Sequence, residues 1–335
     1  MTSDAGRVLV VGEVLVDLVP EPATPPPAAS PPTGASLCVV AHAGGSPANV
    51  AVGLARLGTP ALFAGRISTG GFGPWLRAYL EANGVDTAPS LRAPEPASLA
   101  LVTLGAAGAA TYTFYLEETA DWQWSPGELP DPRTLGATAV HTGSLAVALP
   151  PGGDVVAGWI RGVREARDVF LSIDPNVRPG LTGDLGLYRR RLAGLVAASH
   201  LVKVSDEDLA VLHPGEDPVR AAVSWAGSGP EIVVVTHGAD GASLVRSNRA
   251  GEVQVLHEPS PRVQVVDTVG AGDAFTAALL TRLATHDALH PGGATLLDAG
   301  ELGDCLRFAN LAAAVSCTRA GADPPAMSDL AGLPA

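Results

Sequence analysis

Residues 267–275 read Asp-Thr-Val-Gly-Ala-Gly-Asp-Ala-Phe, and a stretch rich in alanine and leucine continues to Leu283. Gly270 and Gly272 permit a tight turn and bring successive backbone amides close to a ligand. The stretch that follows has helical composition, so its free N–H groups and its dipole point at the same place. Gly270, Ala271 and Gly272 thereby form a candidate anion hole. Asp273 stands inside it as a candidate general base. The plainer reading is an aspartate capping a helix. The GAG run directly before it, and a second carboxylate six positions back at Asp267, favour catalysis. Dinucleotide binding is excluded here, because GAGDAF lacks a third glycine and comes late in the chain.

Two further groups carry polar chemistry. In Gly44-Gly45-Ser46-Pro47-Ala48-Asn49 the glycines allow close approach to a ligand, and Pro47 is placed to open a helix. Asn49, about one turn on, offers both a donor and an acceptor to a hydroxyl. A Gly-Gly pair before a helix is, taken alone, ordinary turn chemistry. In Gly12-Glu13-Val14-Leu15-Val16-Asp17 the aspartate interrupts an apolar run. A carboxylate there can accept two sugar hydroxyls, and an exposed edge position accounts for it equally well.

The elements that must position these residues follow from periodicity. Val8–Val11, Thr138–His141, Val169–Ile173, Leu201–Val204 and Ile232–Thr236 suit buried strands. Ala48–Leu57, Gly73–Asn83, Val155–Ala166 and Val219–Trp225 suit helices between them. Alternation of this kind predicts an α/β fold with a doubly wound, mostly parallel sheet, whose ligands sit beyond the carboxyl ends of the strands. The last third is expected to be mainly helical, with Gly272–Leu283 and Leu302–Cys317.

The chain has 335 residues, is 47% hydrophobic and carries a net charge of −13. That acidity argues against a nucleic acid or an anionic membrane as partner. It leaves a phosphate ligand open, since backbone amides hold phosphates without basic side chains. Cys38, Cys305 and Cys317 are too few and too irregular for a disulfide framework or a cysteine zinc site. The residues before Val8 contain no apolar signal core, so a cytoplasmic location is expected. Ala97–Leu116 lacks charge but contains Gly105 and Gly108, and reads as a hairpin rather than a membrane span. Pro20–Gly34 is proline-rich and reads as an exposed loop.

GGSPAN early and DTVGAGD late, about 220 residues apart, resemble the two signatures of the ribokinase-like (PfkB) family of carbohydrate kinases. The resemblance runs from about Val8 to Ala322, and smaller matches include Asp174-Pro-Asn-Val-Arg178, Lys203-Val-Ser-Asp-Glu-Asp208 and Thr236-His-Gly-Ala-Asp-Gly241. It implies a single kinase domain spanning 1–335, with a small β-sheet lid from about 15–40 and 98–118 closing over a sugar. It also implies ATP and Mg²⁺ as cofactors. Asp17, Gly44, Gly45 and Asn49 would bind sugar; Lys203, Thr236, Gly238, Gly241 and Asn310 would lie along the nucleotide. Asp208 would reach Mg²⁺ through water, and Asp267 with the 316–321 loop resembles a monovalent-cation site, K⁺ being the candidate ion. A homodimer is left open.

This chain departs from the family pattern at three places. Ser205 and Asp208 stand where the family commonly has Asn and Glu, and Gly70 stands where it usually has Asp. Asp208 keeps the charge on a stem one methylene shorter. The DPNVR run and Tyr112–Asp121 resemble the fructokinase branch, with fructose the first expectation. The 2-keto-3-deoxygluconate kinases share DPNxR, and there Arg178 could bind a substrate carboxylate or else pair with a local acid. Ribose or a nucleoside is a weaker reading. A sugar-binding regulator without turnover would be expected to have lost Asp273 or a glycine of the anion hole, and neither is lost.

Overall fold

The runs of valine, isoleucine and leucine become inner strands because every side chain on them finds cover. In the first of them, Val8 and Val10 belong to one hydrophobic core and Leu9 and Val11 to a second. The pleat sends alternate residues to opposite faces, so a strand apolar at every position needs helices on both sides. The computed structural model describes residues 6–20, 38–104, 110–247 and 252–331.

The strands are β1 (Arg7–Val11), β2 (Leu15–Pro20), β3 (Val39–Gly44), β4 (Ala61–Ala64), β5 (Arg66–Ser68), β6 (Leu91–Ala93) and β7 (Leu99–Leu104). They continue as β8 (Ala110–Tyr115), β9 (Ala137–Gly143), β10 (Phe170–Asp174), β11 (Leu201–Ser205), β12 (Ile232–Thr236), β13 (Ala242–Ser247) and β14 (Val253–Glu258). The helices are α1 (Ser46–Arg56), α2 (Gly73–Ala82), α3 (Ser144–Ala148), α4 (Gly152–Ala166) and α5 (Leu185–Ala198). The rest are α6 (Asp206–Leu212), α7 (Pro218–Ala226), α8 (Ala271–Thr285), α9 (Ala299–Ser316) and α10 (Met327–Leu330).

The large sheet has the order β14-β13-β12-β11-β10-β9-β1-β4, parallel from β4 through β12. The hairpin β13–β14 closes one edge in antiparallel sense. That hairpin corrects the expectation of a mainly helical last third. Its outer strand alternates exposed and half-buried residues, a period-2 pattern in Val253–Glu258 that the helical stretches after it overshadow. Helices α1, α8 and α9 share one core with the sheet, and α4, α5 and α7 share the other.

A second, smaller sheet has the order β3-β2-β7-β8. The predicted hairpin is present as β7–β8, antiparallel from Leu99↔Tyr115 to Leu104↔Ala110. The partner of β2 extends past the expected lid boundary of about 40: β3 runs to Gly44, because Leu15 pairs with Gly44 and Pro20 with Val39. Pro20 is tolerated because it is the last residue of its strand. Residues 21–37, which include most of the proline-rich stretch, lie outside the described residues. A third sheet, β5–β6, is a short parallel pair leading from the large sheet towards β7. Among the described residues, no helix is long and apolar enough to cross a membrane.

Candidate active site

The site forms where α8 and α1 converge at their N-terminal ends. Gly270 caps α8 with φ of 77°, a left-handed conformation that glycine adopts without strain. Asp273 is therefore the third residue of the helix and not its cap, which corrects the plain capping reading. Its side chain is 7% exposed and doubly held: Ser46 Oγ donates to Oδ1 at 2.6 Å, and Asn49 Nδ2 donates to Oδ2 at 2.8 Å. A tight helix–helix contact brings these groups together. A Cβ added at Gly53 would meet Ala277 Cβ at 2.7 Å, so the two backbones approach closely only because residue 53 is glycine. Asn49 and Asp273 lie one turn before Gly53 and Ala277, and meet for that reason.

Burial raises the pKa of the Asp273 carboxyl; the hydrogen bonds from Ser46 and Asn49 act against the rise, Asp174 adds to it, and Lys203 opposes it. Asp17, on the inner strand β2, is half buried rather than on an exposed edge. Its carboxyl is pushed up to about 6, first by burial and then by the charge of Asp273. The two acids thus feel each other. Gly44 packs against Asp17, since a Cβ there would lie 2.2 Å from Asp17 Oδ2. Gly45 caps α1 with φ of 103°, and a Cβ on it would strike the Glu13 carbonyl at 2.6 Å.

Lys203 ends up at the anion hole. Its Nζ donates to Asp174 Oδ2 at 2.9 Å, and a Cβ on Gly272 would lie 2.8 Å from the same nitrogen. Burial by itself would lower the ammonium pKa, but Asp174 outweighs it and the net direction is upward. Lys203 is 4% exposed and Asp174 2%, so this ion pair is screened little by solvent. Asp208, in the first turn of α6, has its carboxyl raised by burial and by Asp174. Its Oδ1 accepts the Val177 amide at 2.9 Å, and hydrogen bonds from Ser205 and Val177 act against the rise. Ser205 caps α6 through its hydroxyl, which accepts the Asp208 amide.

The remaining predicted residues divide. Thr236 ends β12, and Gly238 and Gly241 follow with φ of 54° and 98°. A Cβ on Gly241 would be 2.1 Å from the Glu258 carbonyl, so a side chain has no room there. Asn310 is engaged by the fold itself: its Nδ2 donates to the carbonyls of Glu258 at 2.9 Å and Pro259 at 3.3 Å, holding the chain that leaves β14. Asp267 accepts the Val269 amide at 3.0 Å and the Gly321 amide at 2.8 Å, joining the loop before α8 to the one after α9. Arg178 is exposed and, instead of pairing with a local acid, donates to the carbonyls of Asn176 and Val177. Tyr112 of β8 has its pKa raised by burial and by Asp17 and Asp267, with Arg178 opposing. The small sheet therefore faces this cleft.

Sequence reasoning passed over Ser46, although it stands inside the GGSPAN run, and left Asp174 without a role inside DPNVR. It also missed Asp121, which is 1% exposed. Asp121 accepts the Val14 amide at 3.0 Å and the Ser98 hydroxyl at 2.6 Å, pinning β2 and β7 where both leave the core. No local pattern announces a contact over 107 residues of chain.

Known proteins resemble this chain over most of its length. The pfkB family carbohydrate kinase profile matches residues 5–329. A fructokinase of Rhizobium leguminosarum bv. trifolii is 37% identical over 278 residues, covering 82% of this chain and 79% of its own. The crystal structure of Xylella fastidiosa fructokinase with bound ATP superposes with a TM-score of 0.82 at 27% identity, covering 97% of this chain and 96% of the other. A double-mutant fructokinase of Vibrio cholerae O395, with fructose, ADP and potassium ion bound, has a TM-score of 0.80 at 25% identity over 98% of both chains.

Proposed function

Because the chain belongs to the pfkB family of carbohydrate kinases, we propose that it transfers the terminal phosphoryl group of ATP to a hydroxyl of fructose. The observation that carries this reading is the Asp273 carboxylate, gripped by Ser46 and Asn49 at the glycine-lined start of α8 and facing Asp17. The names of the relatives supply the sugar.

In this mechanism Asp17 and Asn49, with the close backbone at Gly44 and Gly45, orient the sugar hydroxyls. Asp273 accepts the proton of the attacking hydroxyl, a step that general bases promote by about 10²–10⁴-fold. The amides of Gly270, Ala271 and Gly272, with the Lys203 ammonium beside them, hold the charge on the transferring phosphoryl. Thr236, Gly238 and Gly241 border the nucleotide, and Asn310 acts by holding the wall they face. Asp208 would hold Mg²⁺ through water, which suits an ion that dehydrates reluctantly and needs few protein ligands. When bound it neutralises phosphate charge. Asp267 and the loop it ties at Gly321 would hold a monovalent cation, and a Vibrio cholerae fructokinase binds potassium ion. The small sheet serves as the lid, with Tyr112 over the sugar, and its closure excludes water.

The acid limb of the pH profile follows from Asp17 and Asp273. Both act ionised and both are raised, so kcat/KM for fructose should fall as pH drops through about 6, the value of Asp17. The limb belongs to the coupled pair. In Asp17→Asn it should move to lower pH, since the neighbouring charge is gone. A profile flat from pH 8 to 5 would refute this assignment.

The DPNVR run favours a second substrate, 2-keto-3-deoxygluconate, through Arg178. A coupled assay on both sugars decides between them. Fructose should be preferred, and Arg178→Lys should alter its kcat/KM by no more than a few-fold, because the guanidinium already turns to carbonyls. Preference for the acid, with a selective loss in Arg178→Lys, would overturn fructose, since a two-pronged carboxylate contact requires arginine.

A further inference from the structure

A separate cavity of about 160 Å³ lies beside β5 and β6, away from Asp273. Arg77 of α2 and Arg92 of β6 line it together with Ser68, Thr69 and Glu81. Arg77 is anchored by its Nη1, which donates to the Thr87 carbonyl at 3.2 Å and hydroxyl at 2.9 Å. Its Nη2 is buried and has no partner. Neither arginine forms an ion pair among the described residues, and Glu81 is the one carboxylate beside them in the cavity lining. The hydroxyls of Ser68 and Thr69 are spent on the carbonyls of Gly70 and Ala93. The Glu81 carboxylate accepts the Thr87 hydroxyl at 2.6 Å, and balances one of the two positive charges.

We propose that Arg77 and Arg92 form a second anion site, which takes the phosphate dianion of a small phosphorylated metabolite or free inorganic phosphate. Two guanidiniums around a small cavity suit a tetrahedral oxyanion, which can accept paired N–H bonds from each. An anion there would satisfy the buried Nη2, whose lack of a partner otherwise costs stability. It would also relieve Arg77, whose pKa is lowered by burial, with the Glu81 carboxylate opposing and the charge of Arg92 adding to the fall. The site sits on β6, six residues before β7 begins, and so beside the chain that enters the small sheet.

The test is calorimetric titration of inorganic phosphate into the whole protein, with ADP and fructose present to fill the candidate active site. Wild type should bind phosphate. Arg92→Ala should weaken binding at least about tenfold, the loss of one charge-assisted pair. Arg92→Glu should abolish it. Arg92 is exposed and unpaired, so both variants should melt and turn over as wild type does without phosphate. Glucose 6-phosphate as a second probe identifies the source: competition with inorganic phosphate places a phosphorylated metabolite in the site, and its failure to compete assigns the site to free phosphate. If wild type does not bind phosphate, or if both variants bind it as wild type does, the site is refuted. The variants leave Asp273 untouched, so this result and that for the sugar reading fail separately.

Discussion

Asp273→Asn is expected to lower kcat by at least about 10²-fold while leaving the protein folded and able to bind sugar and nucleotide, the lower end of what a general base contributes. An amide cannot take the hydroxyl proton, and one of its hydrogens is set against the donors of Ser46 or Asn49. The fold should tolerate the change, because burial already disfavours the charged form of this carboxyl. Initial rates with saturating fructose and ATP, together with calorimetric binding of each, separate the two effects. Near-wild-type turnover would remove Asp273 from the mechanism.

Lys203→Met should have the largest effect on stability, a loss of about 3–5 kcal/mol, the usual cost of stranding one partner of a buried ion pair. Asp174 would then lie within range of Asp208 and Asp273 with no cation beside it. Urea unfolding measures the loss, and the double variant Lys203→Met/Asp174→Leu should regain most of it, since neither charge is left buried. A single variant as stable as wild type would show that solvent reaches the pair. Turnover should fall as well, because the ammonium adjoins Gly272 of the anion hole.

Much of the site was legible as local backbone demand. Gly270 and Gly241 occupy left-handed conformations, Pro47 sits in the first turn of α1, and the amides after Gly270 begin a helix. Such features depend on a few consecutive residues and leave a trace in spacing. The strands of the large sheet were legible for a similar reason, since burial on both faces demands an unbroken apolar run. Less legible was β14, half exposed and alternating, and the second half of β3, where Ala41, Ala43 and Gly44 give little strand signal.

By itself the sequence determined that a carboxylate stands at a glycine-lined helix start, that a second glycine pair opens another helix, and that a parallel sheet lies behind them. The tertiary structure alone decided what each polar group faces. Gly53 against Ala277 sets the depth at which α1 meets α8, and so gives Asp273 its two donors. The register of β10 against β11 sets Lys203 beside Asp174. Asn310 is consumed by the carbonyls beyond β14, while Arg178 turns outward. The physical reason is that a local pattern encodes the conformation of a short segment. Contacts such as Asn49 to Asp273, 224 residues apart, depend on how whole elements pack against one another.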